Sequence, residues 1–212
     1  NTAIDHFVGS LRTQLEQLGL AENTLIIFAS DHGLLLGEKG LGGKTFLYED
    51  SIRIPAIIYS PHFSAQETSQ DLQQLITGQD LPATILDLCG LPIPSTYQGQ
   101  SLLPLISKNS QATQNWRTAV FCENLFTDQN YPRMEAIRSH DWKYIRYFSR
   151  KNDRNKYLPE ASLNGEQPIH EELFHLKNDP KEQHNLATNP AHANTLKKYQ
   201  QLCQEHLKAL AN

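Results

Sequence analysis

Apolar residues at Ile4, Phe7, Val8, Leu11, Leu15 and Leu18 recur at helical spacing, and the stripe stops at Gly19, a residue suited to closing a helix. The spacing predicts a surface helix packing on a sheet. From Thr24 to Ala29 the chain turns almost wholly apolar over a stretch too short for a helix, which predicts a buried parallel strand. A second such run, Ala56-Ile57-Ile58-Tyr59, follows Pro55. Asp80-Leu81-Pro82 then carries the start signals of a helix running through Leu88 and stopping at Gly90. Helix, strand, loop, strand, helix is α/β order.

Beyond about Leu105 the texture changes. Ser107 to Asn115 is a polar linker, and short alternating pieces at Ala119–Glu123, Met134–Ser139 and Trp142–Phe148 predict a small antiparallel sheet. Leu173-Phe174 suits a last strand and Pro190 to Ala211 a terminal helix, with a polar, loop-like stretch from Ser149 to Gln167. The expected division is an α/β portion over residues 1–107 and a small subdomain over 108–212. Two all-apolar strands need neighbours and helices on both faces, and the chain supplies too few, so the first portion reads as one side of a larger sheet.

Composition adds little beyond a globular class: 39% hydrophobic, 20% charged, with a formal net charge of -4 of mixed signs. That balance gives no field drawing the chain to nucleic acid or an anionic membrane, and neither is expected as a partner. Cys89, Cys122 and Cys203 are far apart and odd in number, which leaves the redox compartment open. The chain opens on Asn1-Thr2-Ala3-Ile4-Asp5 without a basic or an apolar leader pattern, so any targeting peptide of the full gene product is expected to have been lost here, and there is no membrane-length apolar run.

Chemistry concentrates after the first strand. Ser30-Asp31-His32-Gly33 places a carboxylate and an imidazole at the carboxyl end of the strand, the edge where open α/β sheets bind ligands. Asp31 offers hard oxygens to Ca²⁺ or Mg²⁺, while His32 suits a softer metal such as Zn²⁺ or a hydrogen bond to an oxyanion. Alone, this is also what a polar turn ending a strand looks like. The following Gly37-Glu38-Lys39-Gly40-Leu41-Gly42-Gly43-Lys44 lets backbone approach a ligand closely and delivers Lys44 as a compact point charge for an anion. Gly43-Lys44-Thr45 matches the end of a nucleotide-binding P-loop, but the first glycine of that motif would fall at Glu38 and no strand leads into the loop.

The run Asn23 to Gly33, then Leu36-Gly37-Glu38, Gly40, Lys44, Leu47-Tyr48-Glu49-Asp50-Ser51 and Arg53-Ile54-Pro55, resembles the second-half signature of the sulfatases. The likeness continues through Ala136-Ile137-Arg138 and Trp142-Lys143-Tyr144-Ile145. It returns at Glu172-Leu173-Phe174-His175-Leu176, Asn178-Asp179-Pro180, Glu182 and Asn185-Leu186-Ala187. The resemblance implies the C-terminal part of an alkaline-phosphatase-like α/β sheet sandwich followed by a small antiparallel α+β subdomain. It implies a sulfuric ester hydrolase in complete form, with a sulfated small molecule or glycan as substrate, leaning to a carbohydrate, and a periplasmic or secreted setting. Asp31 and His32 align with divalent-cation positions, usually Ca²⁺ in that family, and Lys44 aligns with the catalytic lysine that grips the sulfate. The family nucleophile is a formylglycine made from Cys or Ser in C/S-x-P-x-R. No such motif occurs here, so the formylglycine and further ligands are expected in an N-terminal half, which becomes a partner of this chain. Lys39 departs from the histidine common in a G-E-H-G turn. The alternatives are a phosphatase, phosphodiesterase or phosphonate hydrolase of the same superfamily, with Zn²⁺ or Mn²⁺ on the Asp-His pair, or a non-catalytic fragment that pairs with an N-terminal chain.

Several other residues carry two readings. Glu123, Asn124 and Arg133 flank a loop and suit either contacts to a substrate leaving group or solvated positions. Glu49, Asp50 and Arg53 suit a structural pair better than catalysis. Lys143, Arg146, Arg150, Lys151, Arg154 and Lys156, with Trp142, Tyr144, Tyr147 and Phe148, read as a strand with a solvated face, with sulfated-glycan binding as a second use. His170, His175, His184, His192 and His206 show no metal-binding spacing and read as surface residues.

Overall fold

The structure, a computed structural model, describes residues 2–63, 71–107, 111, 114–126, 131–149 and 165–210. Helix α1 (Thr2–Gln17) ends where the apolar spacing puts its end. Gly19 adopts φ 68, its N–H donates to the Glu16 carbonyl, and the Leu20 N–H reaches Leu15, so the last carbonyls find partners. Strand β1 (Ile26–Ala29) follows, then a hairpin of β2 (Leu35–Leu36) and β3 (Gly42–Gly43), the short helix α2 (Glu49–Ile52) and strand β4 (Ala56–Tyr59). Helix α3 (Asp80–Leu88) stops at Gly90, φ 67, by the same closure as α1, and α4 (Leu103–Ile106) completes this part.

Two expectations are corrected here. Strand β1 pairs with β4 antiparallel, Ile26 opposite Tyr59 and Ala29 opposite Ala56, where a parallel strand was expected. An apolar run carries no signal of strand direction, and the segment joining β1 to β4 is a hairpin and one helical turn, not a crossover helix. Neither strand is buried among the described residues, β1 being half-buried and β4 mostly exposed. Nor does α1 cover a sheet among the described residues: none of its side chains is buried, and Phe7 is 69% exposed. On β4, Ile57 is 61% exposed. The open apolar faces of α1 and β4 agree with the shortage of covering elements read from the sequence.

The second sheet is as expected: β5 (Ala119–Asn124), β6 (Arg133–Ser139), β7 (Trp142–Phe148) and β8 (His170–His175) form an antiparallel meander in that order. Alternation gives it two faces. One carries Met134, Ala136, Ile145, Tyr147 and Phe174, which pack with Leu35, Leu47 and Tyr48 from the β2 to α2 segment. The other carries Ile137, Tyr144 and Leu173 under Tyr199 and Cys203 of the terminal helix α5 (Ala193–Leu210). Asn185 closes the outer edge. Its side-chain oxygen accepts from the Leu173 and Ala187 amides, and its amide donates to the Glu171 carbonyl.

Because both faces are covered, the solvated face expected for β7 does not exist. Lys143 is fully buried between Glu49 and Glu182, and Arg146 is buried with its Nε donating to Glu135 at 2.8 Å. Strand alternation separates two faces but does not say that one is wet. Arg150, Lys151, Arg154 and Lys156 lie outside the described residues. Of the histidines, His170 and His184 are exposed, whereas His175 and His192 pack on the Trp142 ring and His206 stacks on Phe121, all three half-buried. No described helix is long and apolar enough to cross a membrane.

Candidate active site

The turn after β1 is held by its own side chains. Ser30 Oγ donates to the His32 carbonyl at 2.8 Å, and Asp31 Oδ1 accepts the N–H of the next residue, His32, at 2.9 Å. Gly33 then donates its N–H to the Ser51 carbonyl at 2.7 Å, so close to α2 that a Cβ at residue 33 would sit 2.1 Å from the Asp50 carbonyl oxygen. Ser51 also turns its buried hydroxyl to the Lys44 carbonyl at 2.6 Å. One residue of α2 therefore fixes both the Asp31-His32 turn and the backbone of Lys44.

The result is convergence of three side chains from two places in the chain, the Asp31-His32 turn and the end of the hairpin. Lys44 Nζ lies 2.7 Å from His32 Nε2, and the same Nε2 lies 3.2 Å from Asp31 Oδ2. His32 Nδ1 is 2.7 Å from the Gly33 carbonyl, an oxygen that can only accept. This places the proton of a neutral ring on Nδ1 and leaves the Nε2 lone pair facing the Lys44 ammonium, an assignment from geometry. Of its three donors Lys44 spends one on His32, and two remain for an anion. The Asp31 side chain is 81% exposed. What desolvation it does feel raises its carboxyl, but the His32 amide, the His32 ring and Lys44 outweigh this and hold it below the usual aspartate range.

As a cation site the arrangement is partial. Hard cations take about six to eight oxygen ligands, and among the described residues no group of three His, Cys, Asp or Glu converges. The outward Asp31 carboxylate fits one such position. His32 offers its remaining lone pair only where Lys44 now approaches.

The other sequence candidates fall elsewhere. Asn124 holds a turn, its amide donating to the Phe126 carbonyl at 3.1 Å and the Pro132 carbonyl at 3.4 Å. Arg133 is not a solvated loop residue. It is buried at 1% exposure, ion-paired with Glu166 and bonded to the Ser149 carbonyl. Glu123 is exposed on β5 opposite Glu135. Glu49 is structural, as its sequence context suggested, bonding Arg138 at 3.1 Å and Lys143 at 3.0 Å. Burial pushes its carboxyl up, but Lys143 and Arg138 prevail and hold it low. In Glu182, burial prevails over Lys143 and the carboxyl is raised. Sequence reasoning assigned no role to Ser51, Glu182 or Lys39. Ser51 and Glu182 stood in the runs that carry the resemblance, which was the available signal.

A family model described as N-sulphoglucosamine sulphohydrolase, C-terminal, matches residues 37–160, more than half of the chain. The chain belongs to the sulfatase family. This sulfatase chain is 31% identical over 209 residues to an N-acetylglucosamine-6-O-sulfatase of Bacteroides thetaiotaomicron, covering 97% of itself and 34% of that protein. It is 33% identical over 204 residues to the multifunctional alkaline phosphatase superfamily protein PehA of Trinickia caryophylli, covering 94% of itself and 37% of that protein. Among solved structures it resembles BT4656 in complex with its substrate D-glucosamine-2-N,6-O-disulfate, with TM-score 0.73 and 28% identity over 98% of this chain and 38% of that one. The sulfatase chain thus spans about a third of the length of the relatives it matches. Its fold is a mixed α/β arrangement of the alkaline-phosphatase-like class with antiparallel sheets.

Gly33→Ala tests the packing of the site. It is expected to lower stability by about 1–3 kcal/mol, because Asp50 must move to admit the methyl, and to part His32 from Lys44. Thermal melting, together with the imidazole NMR shifts of His32, measures both. An unchanged melting point and unchanged shifts would show that the close approach to α2 does not matter.

Proposed function

We propose that this chain supplies the Asp31, His32 and Lys44 portion of the active site of a sulfuric ester hydrolase that acts on a sulfated carbohydrate. The observation that carries the reading is the 2.7 Å approach of Lys44 Nζ to His32 Nε2 at the carboxyl end of β1, beside the exposed carboxylate of Asp31. An ammonium with two unspent donors, held by an imidazole that is itself oriented through Gly33, is preorganised for the oxygens of a sulfate group. Asp31, and His32 if Lys44 turns toward substrate, would hold a divalent cation, read as Ca²⁺. Such a cation, when bound, supplies Lewis-acid charge that neutralises the same oxygens. The remaining ligands and the formylglycine nucleophile belong to other residues of the complete protein. Glu123, Asn124 and Arg133 carry less weight as substrate contacts, since Asn124 and Arg133 are engaged in the fold itself.

The sugar preference rests on the similarity to an N-acetylglucosamine-6-O-sulfatase and to BT4656 with its glucosamine disulfate. A phosphate or phosphonate ester hydrolase is the second reading, favoured by the 33% identity to PehA, with Zn²⁺ or Mn²⁺ on the Asp31-His32 pair. Parallel assay of matched sulfate and phosphate esters of one amino sugar, by the complete gene product and by the 212-residue chain alone, separates the two. Faster sulfate release by the complete protein, with none from the chain alone, is the expected result. Preferential phosphate release would transfer the site to the second reading.

A further inference from the structure

The hairpin that ends at Lys44 has an unusual support. Its returning strand β3 is Gly42-Gly43, so it brings no side chain to the core and takes its position from its neighbours. The ladder to β2 supplies two residue pairs, Leu35 with Gly43 and Leu36 with Gly42, and Leu35 seats β2 in the core at 1% exposure. At the tip the chain turns sharply, with Gly40 N–H to the Gly37 carbonyl and Leu41 N–H to the Glu38 carbonyl. Lys39 stands at that tip with φ 56, a left-handed conformation uncommon for a residue with a Cβ.

What holds it is its own side chain. Lys39 Nζ donates to the carbonyls of Glu182 and, at 3.2 Å, of Lys181, on the turn that follows β8. The ammonium also lies 4.5 Å from the centre of the Tyr48 ring and 5.4 Å from that of Phe174. The receiving turn is itself fixed, because Glu182 is buried with its carboxylate on Lys143 and on the Glu49 N–H at 2.7 Å. The tip of the hairpin is thereby pinned to the antiparallel sheet. Five residues on, Lys44 emerges with its carbonyl held by Ser51 and its ammonium on His32.

We propose that Lys39 is a positioning residue for Lys44. Its ammonium clamps the glycine-rich hairpin to the Lys181-Glu182 turn and so sets where the Lys44 ammonium stands for a sulfate oxygen. The inference rests on the reading of Lys44 as the anion-binding lysine. Lys39 acts through the hairpin and touches neither His32 nor the anion. Because the residue is exposed as a whole, removing its charge leaves the cores intact.

The test is calorimetric titration of inorganic sulfate into the complete gene product as wild type, Lys39→Met, Lys39→Arg, Lys44→Ala and the Lys39→Met/Lys44→Ala double variant. Lys39→Met is expected to weaken sulfate binding about fivefold, as misplacement of a binding group does, and to melt within about 3 °C of wild type. Lys39→Arg, which can donate to the same carbonyls over the same rings, is expected to bind within about twofold of wild type. In the Lys44→Ala background Lys39→Met should have no further effect, since a residue acting only through Lys44 is not additive with its loss. If Lys44→Ala leaves sulfate affinity unchanged, the reading of Lys44 fails. If Lys44→Ala weakens binding while Lys39→Met does not, or if the two losses add, Lys39 does not position Lys44 and the proposal is overturned.

Discussion

Replacing Lys44 by alanine in the complete gene product should lower kcat/KM for a sulfate ester by about 10²–10³, the loss typical of one preorganised charge donor at a reacting oxyanion. The side chain is exposed, and its backbone is held independently through Ser51, so folding should be untouched and melting unchanged. His32 would lose the ammonium now 2.7 Å from Nε2, and its lone pair would face the exposed Asp31 carboxylate. Lys44→Arg should recover only part of the rate, because a guanidinium is larger and planar, with its donors in a fixed fork, and does not set its charge where the compact ammonium stands. Steady-state kinetics with a sulfate ester decide it. A fall of less than about tenfold would mean that Lys44 is not the main positive charge on the substrate, against the magnitude expected for such a donor.

The largest expected loss of stability lies far from this site, at Asp80. Its side chain is fully buried at the first turn of α3, where the carboxylate accepts the Thr77 amide at 2.7 Å, the Gln100 amide at 2.8 Å and both terminal nitrogens of Arg117. Those contacts tie α3 to the segment before α4 and to the approach to β5. The packing between them is close enough that a Cβ at Gly99 would stand 1.9 Å from the Gln79 carbonyl oxygen. Asp80→Ala leaves the Arg117 guanidinium, 18% exposed, without a counter-charge and two amides without acceptors. A cost of about 3–5 kcal/mol is expected for breaking a buried pair from one side. Asp80→Asn, which keeps an acceptor oxygen, should cost less. Urea unfolding of the three proteins measures the series, and a loss under about 1 kcal/mol for Asp80→Ala would place it among ordinary surface substitutions.

Asp80 also shows how sequence reasoning goes partly right. It belongs to the start signal of α3, and the helix does begin there, but the residue lies inside the first turn and its carboxylate serves Arg117, 37 positions away. The sequence marks a helix start through local chemistry. It carries no sign of which distant cation will answer.

The same division runs through the candidate site. Asp31, His32 and Lys44 could be singled out from the sequence because a turn after an apolar strand and a glycine-rich stretch are local patterns, and because the runs around them resemble the sulfatases. The residues that hold them were not. Ser51 matters because α2 folds back onto Gly33, and Lys39 because the hairpin tip meets a turn more than 140 residues later. Arg133 and Lys143 looked like solvent-facing charges because composition counts charge, whereas their burial depends on Glu166, Glu49 and Glu182 arriving from elsewhere.

What the sequence by itself determined are the features set within a few residues. These are the helices and their glycine stops, the alternation that makes an antiparallel meander of residues 119–175, and the family. Tertiary structure alone decided that β1 and β4 run antiparallel, that both faces of the second sheet are covered, and that a buried charge network joins α2 to the turn after β8. The physical reason is that periodicity and capping are properties of neighbouring residues. Strand direction, burial of a charge and the partner of a carboxylate are settled only when remote segments meet and water is excluded between them.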